Sequence, residues 1–434
     1  MRIAIITENF LPKVDGVTRT IALLIEHLQS EGHQVLLLGP ESGMTTYAGA
    51  DIVGTWGIPL IGIYPELKLN FFRPLFLQKL RSFQPDVVHL VDPVWLGAQA
   101  AYMLEWLLPE VPRVSSYHTN LGLYCEHFGF DFLTTAMWRW NRHVHNMCAL
   151  TYCPSESTAT MLRKRGFNTV RIWSRGVDVG LFNPERRSET LRREWMGEGA
   201  SHKAVLLYVG RVSYEKNLAL VINAYKQMDH TRCHLVIVGH GPAFEDVKRD
   251  LSEYPVTFTG YLRGTQLAES FASADLFAFP SFTETFGQVV LEAMASGLPV
   301  VGLYAEGVCD LVTHTKTGLL LDVEGLTREE QTAQYRDLLV QMVNLGEKRR
   351  AMSQLAVAQA QKRTWHEAME TMVRAYREVA LDPQQHRKDS VMGDDEDEDL
   401  FEEASMSEEG VTDVSETSSP RILSTHFNSL GGLQ

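Results

Sequence analysis

One plan is written twice along this chain. Residues 2–7 read as a strand, 17–31 as a helix closed by Gly32, and 34–38 as the next strand, with further strands at 86–91 and 113–117. After residue 180 the plan restarts: strands at 204–209, 234–238, 256–259, 276–279 and 299–303, with a helix over 216–228 following the first. Strands alternating with helices through short loops require parallel sheets, because each connection must cross a face of the sheet and cover it. The expected fold class is therefore α/β: two doubly wound parallel sheets facing a cleft, with ligand at the carboxyl ends of the strands.

Composition supports two such cores, since the chain has 434 residues and is 44% hydrophobic. Its net charge of −14 is concentrated at one end. Residues 385–434 hold 13 acidic and three basic residues, which leaves −4 for the remainder and no basic surface of the kind nucleic acid requires. That tail, with the run Asp394 to Asp399 followed by a Ser/Thr/Glu-rich stretch, has too few apolar residues to fold and is expected to be disordered. Its Asp-x-Asp triplets imitate a metal motif but lie in a solvated acidic run. Ser405, three residues before Glu408, reads as a site for acid-directed kinases. Cysteines 125, 148, 153, 233 and 309 show neither CxxC nor CxH spacing, so neither a disulfide framework nor a zinc site is expected. No glycosylation sequon, signal sequence or apolar run of about 18 residues is visible, so the expected setting is cytoplasmic and reducing.

The residues that carry chemistry lie at the strand ends. Residues 275–281 read as a buried strand and 287–296 as a helix stopped by Gly297, so Glu284 and Glu292 stand eight apart around a strand-to-helix turn. Eight helical residues rise ~12 Å, and a glycosidase pair must bracket one bond at about 5–9.5 Å. Two ends of one extended ligand suit this pair better; the bland alternative is two unrelated surface glutamates. Arg211 ends the first strand of the second half and Lys216 opens the next helix, which together form an anion site, the alternative being a strand-end Arg and a first-turn Lys paired with Glu215. Gly16, between the first strand and first helix, permits close approach of a ligand to the backbone or is an ordinary turn glycine. His118 ends a strand, a position that is more often structural. Val238-Gly-His-Gly241-Pro lacks the third glycine of a dinucleotide fingerprint, Phe244 standing in its place. Residues 70–83 place Phe72, Leu75, Phe76, Leu80 and Phe83 at helical spacing beside Arg73, Lys79 and Arg81, which fits a helix packed on the sheet and, less well, one lying on an anionic membrane.

Thr283-Glu-Thr-Phe-Gly287 and Leu291-Glu-Ala-Met-Ala-Ser-Gly-Leu-Pro-Val-Val301 resemble the signature of the family-4 glycosyltransferases, retaining enzymes of the GT-B fold. The resemblance covers residues 1–380 and is nearest to the lipid mannosyltransferase and sulfoquinovosyltransferase branch. It implies a Rossmann-like acceptor domain (1–180), a Rossmann-like donor domain (181–345) and helices (346–382) crossing back to the first domain, with the acidic tail at 383–434. The segment Arg175-Gly-Val-Asp178 resembles the interdomain linker. In donor binding, the resemblance implies that Glu284 contacts the sugar and Glu292 the ribose, with the backbone of Phe286 and Gly287 along sugar and phosphate. Arg211 and Lys216 would neutralise the departing diphosphate and Gly16 would lie beside it. Gly239 and Leu262 belong to segments near the nucleotide, His118 would sit near the reacting centre, and Tyr124 would line the acceptor side. No metal or other cofactor is implied beyond the nucleotide sugar, GDP-mannose ahead of UDP-sugars, and the acceptor is a lipid or glycan. Peripheral contact with the cytosolic face of an anionic membrane is a further expectation. Two rivals stay open: a nucleotide-sugar epimerase, and a catalytically idle binding module.

Overall fold

The computed structural model describes residues 1–12, 15–60, 64–120, 131–200 and 202–381. The first half contains β1 (Arg2–Thr7), β2 (Gln34–Pro40), β3 (Thr46–Tyr47), β4 (Ala50–Thr55), β5 (Gly57–Leu60), β6 (Tyr64–Asn70), β7 (Val87–Val91), β8 (Arg113–Ser116), β9 (Leu150–Cys153) and β10 (Val170–Ile172). Eight of these form one sheet in the order β10-β9-β8-β7-β1-β2-β4-β3, parallel except for β3, while β5 and β6 pair as a separate hairpin. The second half contains β11 (Ala204–Val209), β12 (Cys233–Val238), β13 (Val256–Gly260), β14 (Leu276–Phe279), β15 (Val300–Leu303) and β16 (Gly318–Leu321), all parallel in the order β13-β12-β11-β14-β15-β16.

Near-continuous apolar strands mark sheets buried on both faces. In β1, Ile3 and Ile5 pack under the helix Gly16–Ser30, with its Ile21, Leu24, Ile25 and Leu28, while Ala4 and Ile6 face the other way onto Phe76, Leu80, Leu96 and Leu104. The Gly16–Ser30 helix starts where Asp15 caps it, accepting from the Thr18 amide at 2.8 Å. In β11, Val205, Leu207 and Val209 point to one core and Leu206 and Tyr208 to the other.

Each sheet reverses its winding beside its first strand. The chain leaves β1 for β2 on one side and returns to β7 on the other, and it leaves β11 for β12 and returns to β14. A crevice opens at the carboxyl ends of the strands at such a point, so the loops after β1, β7, β11 and β14 are the candidate ligand-binding loops.

Two crossings join the halves. Residues 173–178 lead out of the first, and the helix Trp365–Leu381 returns to it, seating Met369, Met372, Val373, Tyr376 and Val379 in the core beneath β1. The preceding helix Glu347–Ala360 stays with the second half through Met352, Ala356 and Ala360. At Thr364, the sequence Thr-Trp-His-Glu367 offers a capping box, of which only half forms. The Thr364 hydroxyl accepts from the Glu367 amide at 3.2 Å, but the Glu367 carboxylate turns to Arg374.

The hairpins β3–β4 and β5–β6 are absent from the sequence reading. The β3–β4 turn is Ala48-Gly49 with both φ positive, a geometry usually announced by Asn-Gly or Asp-Gly, and here an alanine hides it. Residues 74–83 form a helix whose Phe76 and Leu80 are fully buried against the sheet, as the packed-helix reading expects. Among the described residues no helix is long and apolar enough to cross a membrane.

Candidate active site

The loop after β14 runs from Pro280 to Gly287 and carries Glu284. Gly287, at φ +84°, turns the chain into the helix Gln288–Ala295, a left-handed conformation that favours glycine. Phe286 anchors the turn in the core of the second half. Gly307 closes it from behind: a Cβ there would stand 2.6 Å from the Glu284 carbonyl oxygen and 2.7 Å from the Phe286 nitrogen.

Lys216 meets Glu284 at 2.6 Å, and Ser281 also donates to that carboxylate at 3.1 Å. The expected helix over 216–228 begins later, at Leu218. Lys216 instead ends a short 3-10 turn, Tyr214–Lys216, and Asn217 at φ +53° swings the chain into the helix while its side chain holds the Pro280 carbonyl at 3.2 Å. The lysine therefore avoids the positive end of the helix dipole and pairs across the crevice, with Glu284 and not with its neighbour Glu215, which accepts from Ser213. Arg211 lies in the same loop, exposed and without an ion pair among the described residues. Its backbone is held independently, the Tyr208 hydroxyl donating to its carbonyl at 2.9 Å.

Glu292 is 2% exposed and bonds Arg19, from the helix Gly16–Ser30 of the first half, at 2.9 Å. Burial pushes its carboxyl upward and Arg19 opposes that rise. Since the helix starts at Gln288, the eight-residue rise applies only to its last few positions. In the structure the two glutamates pair with different cations, Glu284 with Lys216 of the second half and Glu292 with Arg19 of the first. Arg19 was missed because, in the sequence, it is one more arginine near the start of a helix.

The halves meet at Thr285, next to Glu284. Its hydroxyl donates to the His118 carbonyl at 2.9 Å, and its own carbonyl accepts from Ser155 at 2.9 Å. Asn120 reaches Glu306 at 3.2 Å, and the Ser157 hydroxyl and amide both bind Asp310. None of these contacts was expected, since serine, threonine and asparagine after a strand are ordinary loop residues. His118 is buried, with one ring nitrogen bonded to Arg175 and the other to Ser116 at 2.8 Å, and burial beside that arginine holds its pKa well below the usual histidine value.

Gly16 begins its helix, and a Cβ there would meet nothing within 4 Å, so it borders open space. Gly239 is different: at φ +135°, its Cβ would fall 1.9 Å from the Gly210 carbonyl oxygen, so the protein's own backbone requires this glycine. Leu262 packs partly against the core of the second half. Tyr124 lies outside the described residues, as do positions 382–434 with the acidic run and Ser405.

At the first crevice, Glu8 accepts from the Trp95 and Gly97 amides at 2.8 and 2.9 Å, capping the helix Leu96–Leu107, yet burial and nearby Asp92 push its carboxyl up to about 7. A folded pKa above the unfolded one means that the charged carboxylate costs stability above pH 7, and that the cost fades as pH falls through 7 toward 4.5. Glu8→Gln keeps an acceptor for both amides. It is expected to be more stable than wild type at pH 8 by on the order of 1–3 kcal/mol, with the gap closing by about pH 4.5, in paired chemical-denaturation curves. A gap that widens toward acid would contradict this assignment.

Comparison with known proteins follows the same lines. Residues 14–181 match the Glycosyltransferase Family 4 profile and residues 193–357 that of Glycosyl transferases group 1. The chain is 38% identical to a GDP-mannose-dependent alpha-mannosyltransferase of Corynebacterium glutamicum, over 74% of this chain and 77% of that protein. It is 32% identical to the sulfoquinovosyl transferase SQD2 of Arabidopsis thaliana, over 74% and 64%, and 26% identical to an alpha-monoglucosyldiacylglycerol synthase of Streptococcus pneumoniae, over 69% and 70%. Among solved structures, Anabaena HepE in complex with UDP superposes with a TM-score of 0.68 at 18% identity, covering 86% of this chain and 99% of that one, which establishes the GT-B fold. With both halves matched, and the paired carboxylates and cations gathered at the two crevices, this chain belongs to the family-4 glycosyltransferases.

Proposed function

We propose that the chain transfers a hexose with retention from a nucleotide sugar, GDP-mannose ahead of UDP-sugars, to a hydroxyl of a membrane lipid. The observation that carries this reading is the Thr285 bridge. It seats the loop of Glu284, whose carboxylate pairs with Lys216, against the backbone of His118, so a donor held by the second half would be presented to the first. GDP-mannose is favoured by the activity for which the Corynebacterium relative is named, and a lipid acceptor by that for which the Streptococcus relative is named.

In this reading Arg211 and Lys216 neutralise the diphosphate, and charge developing on that leaving group is stabilised by these fixed cations with no metal called upon. Glu284 holds the sugar. Glu292 takes the ribose hydroxyls in exchange for Arg19. The backbone of Phe286 and Gly287 follows sugar and phosphate, Gly16 gives the phosphates the open space at its helix start, and Gly239 and Leu262 border the nucleotide. His118 stands beside the anomeric carbon, and Tyr124 lies on the acceptor side. The acceptor oxygen attacks that carbon on the face the diphosphate leaves. The bond from carbon to phosphate oxygen breaks as the new glycosidic bond forms, and the hydroxyl proton passes to the departing phosphate. A lipid acceptor brings the enzyme to the cytosolic membrane surface as a peripheral protein.

Incubation of the protein with labelled GDP-mannose, UDP-glucose and UDP-sulfoquinovose and a total lipid extract tests this. Label from GDP-mannose is expected in the organic phase as an α-mannolipid. Label arriving only from a UDP-sugar would favour the second reading, a glycolipid synthase of the kind the Arabidopsis and Streptococcus relatives are named for. Epimerised nucleotide sugar, or donor binding with no transfer to any lipid, would overturn both.

A further inference from the structure

His118 is the near end of a buried hydrogen-bond chain that spans the first half. Its one nitrogen, Nδ1, accepts from Arg175 Nη2, and its Nε2 lies 2.8 Å from Ser116 Oγ. Ser116 Oγ lies 2.8 Å from His89 Nε2, and His89 Nδ1 lies 2.7 Å from the Tyr376 hydroxyl. All five side chains are more than nine-tenths buried. Trp173 packs against both imidazoles, with ring centroids 5.8 and 5.7 Å away, and its Nε1 donates to the Ala368 carbonyl at 3.0 Å.

The chain has one direction. A guanidinium only donates, so His118 Nδ1 must present its lone pair and its proton must sit on Nε2. Ser116 accepts that proton and turns its own toward His89 Nε2, which leaves the His89 proton on Nδ1, facing Tyr376. The reverse order would set two hydrogens face to face between Arg175 and His118. Burial keeps both imidazoles neutral, His89 being pulled down to about 3, so neither gains a second proton near neutral pH.

Arg175 itself is a buried cation, 7% exposed, that among the described residues forms no ion pair and finds no hydrogen-bond partner for its Nη1. A guanidinium left so incompletely satisfied costs stability, which a purely structural role would not justify. It sits in the outbound crossing, and Tyr376 sits in the returning helix.

We propose that Arg175 is a positioning residue for sugar transfer: it fixes the tautomer and ring orientation of His118, with Ser116 and His89 relaying that order to Tyr376. The proposal rests on the role given to His118 above. Its orientation at the donor is then set by both crossings between the halves.

Nitrogen-15 NMR of the full chain labelled at histidine reads the tautomers directly, and kinetics with GDP-mannose read the consequence. In wild type, His118 is expected as the Nε2–H form and His89 as the Nδ1–H form. Arg175→Met is expected to mix the His118 tautomers and lower kcat about 10²-fold with the donor KM within roughly threefold, since misorientation at the reacting centre acts on turnover more than on binding. Arg175→Lys, which restores a donor, is expected to recover the Nε2–H signal and part of kcat. Unchanged His118 signals in Arg175→Met, or shifted signals with unchanged kcat, would overturn the proposal. Should Arg175→Met fail to fold, Tyr376→Phe still decides: His118 is expected to keep its Nε2–H form there, and its conversion to Nδ1–H would show that order is set from the tyrosine end. His118→Ala separates the two claims. Full turnover in that variant would sink the role given to His118 while leaving the tautomer measurement to stand alone.

Discussion

Arg211→Ala is expected to lower kcat for sugar transfer by about 10²- to 10³-fold while the melting curve of the protein stays where it is. The two halves of this expectation have separate grounds. Arg211 is exposed and makes no ion pair among the described residues; its carbonyl is held by the Tyr208 hydroxyl and its neighbours Gly210 and Val212 by the Val238 and His240 carbonyls, so truncation of the side chain removes no contact seen among the described residues. Under the proposed function, a cation at the switch point of a parallel sheet, one loop away from Glu284 and without an ion pair among the described residues, would meet charge that appears only as the diphosphate departs. Lys216 offers a less clean test, because its removal also strips Glu284 of its partner. Turnover within about threefold of wild type in folded Arg211→Ala would mean that charge on the leaving group is met elsewhere.

Gly176→Ala is expected to destabilise the protein by more than about 4 kcal/mol, seen as a marked drop in melting temperature or loss of soluble protein. Gly176 lies where the two crossings touch. An added Cβ would stand 2.1 Å from the Trp365 nitrogen and 2.3 Å from the Thr364 carbonyl carbon, and backbone cannot rotate away as a side chain could. The contact is held on both sides: Val177 donates to the Arg363 carbonyl at 2.9 Å, and Gln288, at the start of the Glu292 helix, donates to the Gly176 carbonyl at 3.0 Å. Separation of the crossings would therefore disturb the seat of the returning helix and the crevice beside Glu292 together. Melting of Gly176→Ala within a degree or two of wild type would show that the crossings can part without cost.

How much was legible follows from what each residue needs. β1, β11 and β14 lie where alternation and apolar runs place them, because a strand buried on both faces must be apolar along its whole length. The turn into the Glu292 helix was legible because only a glycine settles easily at the φ of Gly287. Arg19, Asn120, Ser157 and Glu306 were not legible, because each acts through a partner more than fifty residues away and nothing in its own neighbourhood distinguishes it from a loop or surface residue. Arg175 was legible as part of a linker-like segment but not as a partner of His118. Gly239 was legible as a turn glycine, and the structure adds that its freedom is required by the nearby carbonyl of Gly210.

By itself the sequence determined the local order: which stretches are strands, where glycine must turn them, and which charged residues stand at the strand ends. Those choices rest on interactions a few residues long, and on burial patterns repeated at fixed periods. Only the tertiary structure decided the pairing, with Lys216 on Glu284, Arg19 on Glu292, and Arg175 on His118 in an order that runs on to Tyr376. The reason is physical. An ion pair or a tautomer is fixed by two groups meeting in one buried place, and that meeting exists only after two sheets and two crossings have brought distant parts of the chain together.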